Sequence, residues 1–244
     1  MCGITGIYAF NEIGRFPLIK LSEATSSLSH RGPDNGNTFI SEMAGLGHRR
    51  LSIIDISDQG NQPFHDHSGR FVMVYNGEIY NYQQLKEKKL SGKGIPFKSA
   101  TDTEVLLYLF IHYGPECLNW LNGFFSFAIF DRELQQLFVT RDRYGIKPLF
   151  YYFGEDHFIF SSELKPLLKF GLPLEIDPAA LEAYMQFNYV PPGHCMIKNV
   201  HKLEPGHFMM VEKKKITKNS YYKHELHQYK NESYDEACEK ITHL

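Results

Sequence analysis

Met1-Cys2-Gly3-Ile4 carries more chemistry than any other short stretch of this chain. Removal of Met1 ahead of a small residue leaves Cys2 with a free α-amine. One residue then offers a thiol nucleophile and a base with a pKa of about 8. A cysteine at a frayed terminus would be inert, but Gly3-Ile4-Thr5-Gly6-Ile7-Tyr8 runs on as a strand and anchors the end inside the fold. The second constellation is Asn76-Gly77-Glu78-Ile79-Tyr80-Asn81. Its plain reading is a hairpin turn. Its chemical reading is a pair of donors, the Asn76 side-chain amide and the Gly77 backbone N–H, suited to the oxyanion of a tetrahedral intermediate. Glu78 adds a carboxylate suited to an ammonium group.

His30-Arg31-Gly32-Pro33-Asp34 and His48-Arg49-Arg50-Leu51-Ser52-Ile53 set arginines beside turn and strand signals. Most arginines are solvated surface charges, yet the planar guanidinium is also the natural clamp for a substrate carboxylate. Asp102 reads locally as a first-turn helix acid favoured by the helix dipole. Leu90-Ser91-Gly92-Lys93-Gly94 lacks the spacing of a phosphate-binding loop and is read as an ordinary loop. His65-Asp66-His67 lacks the spacing that puts two imidazoles on one helical face, so no metal site is assigned.

These residues need a frame. Phe71 to Tyr75 reads as a strand ending in the Asn76-Gly77 turn. Phe124 to Phe130 and Leu137 to Arg141 form a hairpin through Asp131-Arg132-Glu133, and Phe158 to Ser161 is a further strand. Thr101-Asp102-Thr103-Glu104 is a capping box opening a helix from Val105 to Tyr113, which Gly114 stops. Pro17 to Ser29 is a helix with Leu18, Leu21 and Leu28 on one face, and Asp177-Pro178 opens another through Phe187. Strands in hairpins outnumber helices, which predicts antiparallel sheets covered by helices, an α+β fold. Val190-Pro191-Pro192-Gly193 looks like a domain boundary. It is followed by a short strand near Phe208 to Val211, a Lys213-Lys214-Lys215 turn and a polar stretch to Asn231. Ser233-Tyr234-Asp235-Glu236 then opens a last helix with Tyr234, Ala237, Cys238, Ile241 and Leu244 on one face.

The 244 residues, 43% hydrophobic and 22% charged, describe an ordinary globular protein. A net charge of −2 gives no reason to expect nucleic acid or an anionic membrane as partner. No apolar run is long enough to span a bilayer and no secretory signal is visible. Cys2, Cys117, Cys195 and Cys238 are far apart, so a cytoplasmic chain with reduced thiols is the simplest reading.

Taken together, Cys2-Gly3-Ile4, His30 to Asp34, Arg50-Leu51-Ser52-Ile53 and Asn76 to Asn81 occur in the order seen in glutamine-hydrolysing asparagine synthetases. Arg141-Asp142-Arg143-Tyr144-Gly145-Ile146-Lys147-Pro148-Leu149 and Ser162-Glu163-Leu164-Lys165 continue that order. The chain resembles that family from Met1 to about Gly206. The resemblance implies an N-terminal nucleophile (Ntn) hydrolase fold, an αββα sandwich of two antiparallel sheets between helices. It implies Cys2 as nucleophile, Asn76 and Gly77 as oxyanion hole, and Arg50 on the glutamine α-carboxylate. Glu78 and Asp102 would hold its α-ammonium, the backbones of Leu51 and Ile53 would line the pocket, and Arg31 would support it. Residues 1–190 would be the glutaminase domain, which needs no cofactor. Residues 191–244 would be a linker and the beginning of a synthetase domain that receives ammonia and uses ATP and magnesium. The signature Ser-Gly-Gly-x-Asp-Ser loop of that second domain does not occur in these residues, so the sequence looks like the front part of a longer protein. The resemblance allows a homodimer. Two other readings stay open: an amidotransferase of the same architecture acting on another carboxylate, such as a polysaccharide sugar acid, and a non-catalytic scaffold. The second of these would be expected to have lost Cys2 or Asn76, and both are present.

Overall fold

The computed structural model describes residues 1–52, 57–191, 193–224 and 233–242. Ile53, Pro192, Asn231 and Leu244, each invoked above, lie outside them. The chain begins with β1 (Gly3–Ala9), followed by a 3₁₀ segment Ile13–Lys20 and helix α1 (Leu21–Ser26). The sequence predicts one helix from Pro17 to Ser29; the observed break follows from Pro17 inside the 3₁₀ turn, where it has no N–H to give an α-helical ladder. Leu18, Leu21 and Leu28 are buried as the pattern requires.

Strands β2 (Asn35–Ile40) and β3 (Ala44–Arg50) come next, then the short β4 (Phe64–His65) and the long β5 (Phe71–Ile79). Helix α2 (Tyr82–Leu85) precedes helix α3 (Asp102–Tyr113). Thr101 caps α3 by accepting from Glu104 N at 3.3 Å, and Gly114 ends it with φ +57°. The Glu104 carboxylate does not close the box on Thr101 N; it reaches further back to accept from Lys98 N and Ser99 N at 2.9 and 2.7 Å. Then follow β6 (Gly123–Asp131), β7 (Gln136–Arg141), β8 (Phe150–Phe153), β9 (His157–Ser161), helix α4 (Leu164–Lys169) and helix α5 (Pro178–Phe187). Strands β10 (Val200–Lys202), β11 (His207–Glu212) and β12 (Lys215–Ser220) precede the terminal helix α6 (Tyr234–Thr242).

The strands form two antiparallel sheets, in the order β10-β8-β9-β1-β3-β2 and β12-β11-β7-β6-β5-β4. Both faces of the central strands are covered, so they are mostly apolar on both faces, with buried polar residues such as His48, Arg50 and Asn76 gathered near the site. On β6, Ala128 and Phe130 face the other sheet with Ile4, Tyr8 and Phe158. Phe125, Phe127 and Ile129 face the opposite way, against Val105, Leu106 and Leu109 of α3. Ile7 of β1 packs outward against Leu21, Ala24 and Leu167 of α1 and α4. Helix, sheet, sheet, helix is the layering the α+β reading expects.

Two local expectations meet a different structure. Asn76-Gly77 is not a turn: β5 runs straight through it, with Asn76 opposite Ser126 and Gly77 opposite Phe125. The break expected at Val190 to Gly193 has sheet strands on its far side. Strand β10 pairs with β8, and β11 pairs with β7, so the sandwich is built from both sides of that segment and runs on to Ser220. Helix α6 does open on its capping box, with reciprocal Ser233 and Glu236 bonds at 2.9 and 3.3 Å. Tyr234 and Ile241 on it are exposed. No helix among the described residues is long and apolar enough to cross a membrane.

One hydrogen bond between side chain and backbone ties the two sheets beside the site. His48 of β3, fully buried, donates from Nε2 to the Tyr75 carbonyl of β5 at 3.1 Å, which fixes the neutral tautomer. Burial pushes its pKa down from 6.5 to about 3; the bond to Tyr75 opposes this, and Arg50 and Arg49 reinforce it. As pH falls below about 6.5 the unfolded chain takes up the proton first, so stability is intact above that value and drains away toward pH 3. His48→Gln should flatten the acid loss by up to about 1.4 kcal/mol per pH unit across that window. Urea unfolding at stepped pH measures it, and parallel slopes for the two proteins would refute the assignment.

Candidate active site

Cys2 stands at the head of β1, between β3 and β9 in the sheet order. Three motifs that are distant in sequence converge on its backbone. Arg31 donates from Nε to the Cys2 carbonyl at 2.9 Å and from Nη1 to Glu163 at 2.9 Å. His30 contacts the same Glu163 carboxylate through Nε2 at 2.9 Å. Burial alone would raise the Glu163 pKa, but the hydrogen bonds from Arg31 and His30 outweigh it and hold the carboxyl below its usual range. Two residues along, Ile4 N donates to Ser162 Oγ at 3.1 Å and Ile4 O accepts from Ser161 Oγ at 3.1 Å. The turn carrying Arg31 is itself held by Arg49, which donates to the Gly32 and Pro33 carbonyls at 2.8 and 3.2 Å.

The Cys2 thiol faces a cavity of about 270 Å³ lined by Arg50, Leu51, Asn76, Gly77, Glu78 and Asp102, with Lys147 and Gln62 among the other walls. Of the residues singled out in the sequence, the structure brings Cys2, Arg50, Leu51, Asn76, Gly77, Glu78 and Asp102 together here. Arg31 holds the Cys2 backbone from behind, and Ile53 lies outside the described residues. Leu51 N donates to Cys2 Sγ at 3.5 Å, and Sγ lies 3.7 Å from Leu51 O. Burial raises the thiol's pKa; the Leu51 N–H, the terminal amine charge, Arg50 and Lys147 each pull it back down. Cys117, by contrast, is buried without such help and is pushed up to about 12, which makes it inert as a nucleophile.

Asn76 is 1% exposed, and neither its side-chain nitrogen nor its oxygen has a hydrogen-bond partner. A buried amide with both ends unmatched is costly, and it lines the cavity that holds the Cys2 thiol. Gly77 follows for a steric reason: a Cβ there would collide with the Phe124 carbonyl and come within 2.8 Å of Phe125 Cα on β6. Arg50 is buried and donates to Ser57 O and Asn61 Oδ1, both at 2.8 Å. Asp102 begins α3, and its Oδ2 accepts from Tyr75 OH at 2.7 Å and Ile79 N at 3.0 Å. Burial raises the Asp102 pKa, with those same bonds opposing. The cavity thus sets Arg50 and Lys147 with two carboxyl groups, Glu78 and Asp102, around one thiol. Such a wall suits a zwitterion with a carboxylate and an ammonium.

Sequence reasoning did not single out Gln62, Tyr75 or Lys147. Gln62 accepts from Tyr75 N at 2.6 Å through Oε1, which shapes the floor under Asp102. Lys147 carried a signal, since it lies inside a motif that marks the resemblance, but a loop lysine by itself looks solvated.

A family model described as the glutamine amidotransferase domain matches residues 1–222. The chain belongs to the glutamine amidotransferase family. The amidotransferase is 39% identical over 228 residues to asparagine synthetase (glutamine-hydrolyzing) 1 of Bacillus subtilis, covering 91% of this chain and 35% of that protein. It is 33% identical over 250 residues to asparagine synthetase (glutamine-hydrolyzing) 3 of the same organism, covering 100% and 40%. It is also 34% identical over 221 residues to amidase chry2 of Gibberella zeae, covering 86% and 32%. The chain therefore spans less than half the length of each of these relatives. Among solved structures it resembles the allosteric regulatory enzyme of purine biosynthesis, with a TM-score of 0.68 at 20% identity over 91% of this chain and 49% of that one. Glutamine phosphoribosylpyrophosphate amidotransferase from B. subtilis gives 0.66 at 20% identity, over the same shares of the two chains. The fold of the amidotransferase is that of the Ntn hydrolases.

The steric argument at Gly77 is directly testable. In Gly77→Ala the added methyl group meets backbone, which moves only with its strand. The N–H survives but is displaced, so kcat/KM for glutamine hydrolysis should fall by about a hundredfold or more. The urea-unfolding free energy should fall by roughly 1–3 kcal/mol. Glutamate release at the unmodified rate would show that β5 and β6 have room to spare.

Proposed function

We propose that Cys2, freed of Met1, attacks the side-chain amide of glutamine and that the ammonia released serves a synthetase domain making asparagine. The observation that carries the proposal is the unmatched Asn76 amide beside Gly77 in the cavity that Cys2 faces. Met1 is 60% exposed at the cavity rim, within reach of a processing enzyme. The Cys2 α-amine then takes the thiol proton and the thiolate adds to the amide carbon. The oxyanion that forms is held by the Asn76 amide and the Gly77 N–H. Collapse breaks the C–N bond as the amine returns the proton to the departing nitrogen, giving ammonia and a thioester. Water, deprotonated by the same amine, splits the thioester to glutamate and restores the thiol. Arg50 pairs with the substrate carboxylate, Glu78 and Asp102 with its ammonium, and Leu51 lines the pocket beside the thiol. Arg31 keeps Cys2 in place.

Asparagine as the final product is supported by the names of the Bacillus subtilis relatives; in this proposal ATP and magnesium are requirements of the synthetase domain alone. The similarity to a fungal amidase supports a second reading, in which the same glutaminase feeds ammonia to a different acceptor. The acceptor is chosen outside the glutaminase site, so both readings share the chemistry above.

The test is glutamate release by processed protein. Cys2→Ala should abolish it while glutamine still binds, and protein retaining Met1 should be inactive because its amine is blocked. Asn76→Ala should lower kcat by roughly a hundredfold or more with little change in KM, as expected of an oxyanion donor. Arg50→Ala should mainly raise KM, since its contact exists in ground and transition states alike. A change in KM alone for Asn76→Ala would remove it from the oxyanion hole.

A further inference from the structure

Lys147 is 6% exposed and lines the cavity that holds Cys2. Among the described residues its ammonium makes no hydrogen bond or ion pair to a protein group. It rests over the Phe124 ring at 4.5 Å from the centroid. Its backbone is fixed on both sides: Lys147 N donates to Asp142 Oδ2 at 2.9 Å, and Arg141 Nε donates to Lys147 O at 2.7 Å. Tyr144 N and Ile146 N donate to the other Asp142 oxygen at 3.1 and 3.0 Å, so the whole Arg141 to Lys147 loop is braced. The Glu78 carboxylate faces it without forming an ion pair, so this braced cation also acts on what occupies the cavity.

We propose that Lys147 is a positioning residue that electrostatically primes Cys2, holding the α-amine neutral and the thiol ready to ionise. This rests on the reading of Cys2 as a processed nucleophile. A positive charge disfavours the ammonium form of the amine and favours the thiolate form of the thiol. Both effects act in one direction. The doubly protonated pair loses its first proton at lower pH, whichever of the two groups releases it. Burial works the other way on the thiol, and Lys147 is one of the charges that offset it. The charged groups facing Cys2 are the terminal amine, Arg50 from β3 and Lys147, and Tyr75 and Glu78 from β5 and Asp102 from α3 line the same cavity. Those facing Lys147 are Glu78 from β5, Arg31, Cys2 and Asp142. Arg31 is engaged with Glu163 and the Cys2 carbonyl, and Arg50 with Ser57 and Asn61, which leaves Lys147 as the cavity cation with no acceptor of its own.

The experiment compares processed wild type, Lys147→Met, Lys147→Gln and Lys147→Arg. Glutamate release is followed across about pH 6 to about pH 9, together with the pH dependence of Cys2 alkylation by iodoacetamide. The acid limb of kcat/KM should move up by roughly one pH unit in Lys147→Met and Lys147→Gln, and the alkylation curve should move with it. Lys147→Arg should restore both curves. Should the methionine protein not fold, the glutamine protein, which keeps a polar tip, carries the same expectation. Two results overturn the proposal. One is a uniform loss of rate at every pH with both curves unmoved, which marks a structural lysine. The other is a raised KM with unmoved curves, which marks a contact to the substrate carboxylate. Failure of the underlying reading looks different: Cys2→Ala would then release glutamate as wild type does.

Discussion

In the proposed mechanism Cys2 becomes the chain terminus, so it must be held still by its own backbone and by the residues that follow it. The carbonyl of Cys2 accepts from Arg31, which is also anchored on Glu163, and Ile4, two residues on, is locked between Ser161 and Ser162. Charge-assisted bonds of this kind are short and directional, so they orient as well as attach. Everything else in the site is measured from that point. Strand β1 lies inside its sheet, flanked by β3 and β9, so Cys2 inherits the rigidity of the sandwich instead of the looseness of a free end. The tie from His48 to Tyr75 then sets the distance between the sheet carrying Cys2 and Arg50 and the sheet carrying Asn76, Gly77 and Glu78.

With the nucleophile fixed, the cavity can keep polar groups unmatched. Asn76 is buried among apolar strands with no partner for its amide, a state that costs stability. The surrounding sheets make that state tolerable, since β5 and β6 pair over nine residues around it. In the proposed mechanism that unmatched amide meets the charge developing on the substrate oxygen with no reorganisation. Arg50 illustrates the opposite tactic: its guanidinium is steadied by Ser57 and Asn61, so the fork is oriented before a substrate arrives.

Much of this was legible in the residues, and the exceptions share a cause. The α3 start was readable because Thr101 and Glu104 act within one turn of chain, and the α5 start because Asp177 caps its own neighbours. Antiparallel sheets covered by helices were readable because strands in hairpins outnumber helices, and the two-sheet layering followed from the family resemblance. Asn76-Gly77 misled as a turn because the reason for Gly77 is β6, whose backbone comes from some fifty residues further on. The boundary at Val190 to Gly193 misled in the same way. Its prolines do interrupt the chain, but β10 and β11 find partners in β8 and β7, which no local pattern reveals. Nothing local marks Lys147, because its burial is set by Asp142 and Phe124, and nothing local gives Glu163 a task, because Arg31 and His30 reach it from far away in sequence.

The central claim is that one thiol of four, Cys2, does the chemistry, and a covalent trap tests it most directly. Processed protein is incubated with a diazoketone analogue of glutamine, whose reactive carbon takes the place of the amide, and the product is mapped by peptide mass spectrometry. The account predicts one adduct per chain, on Cys2, with excess glutamine protecting against it. Labelling of Cys117, Cys195 or Cys238 in its place, or continued glutamate release by protein fully modified at Cys2, would contradict it.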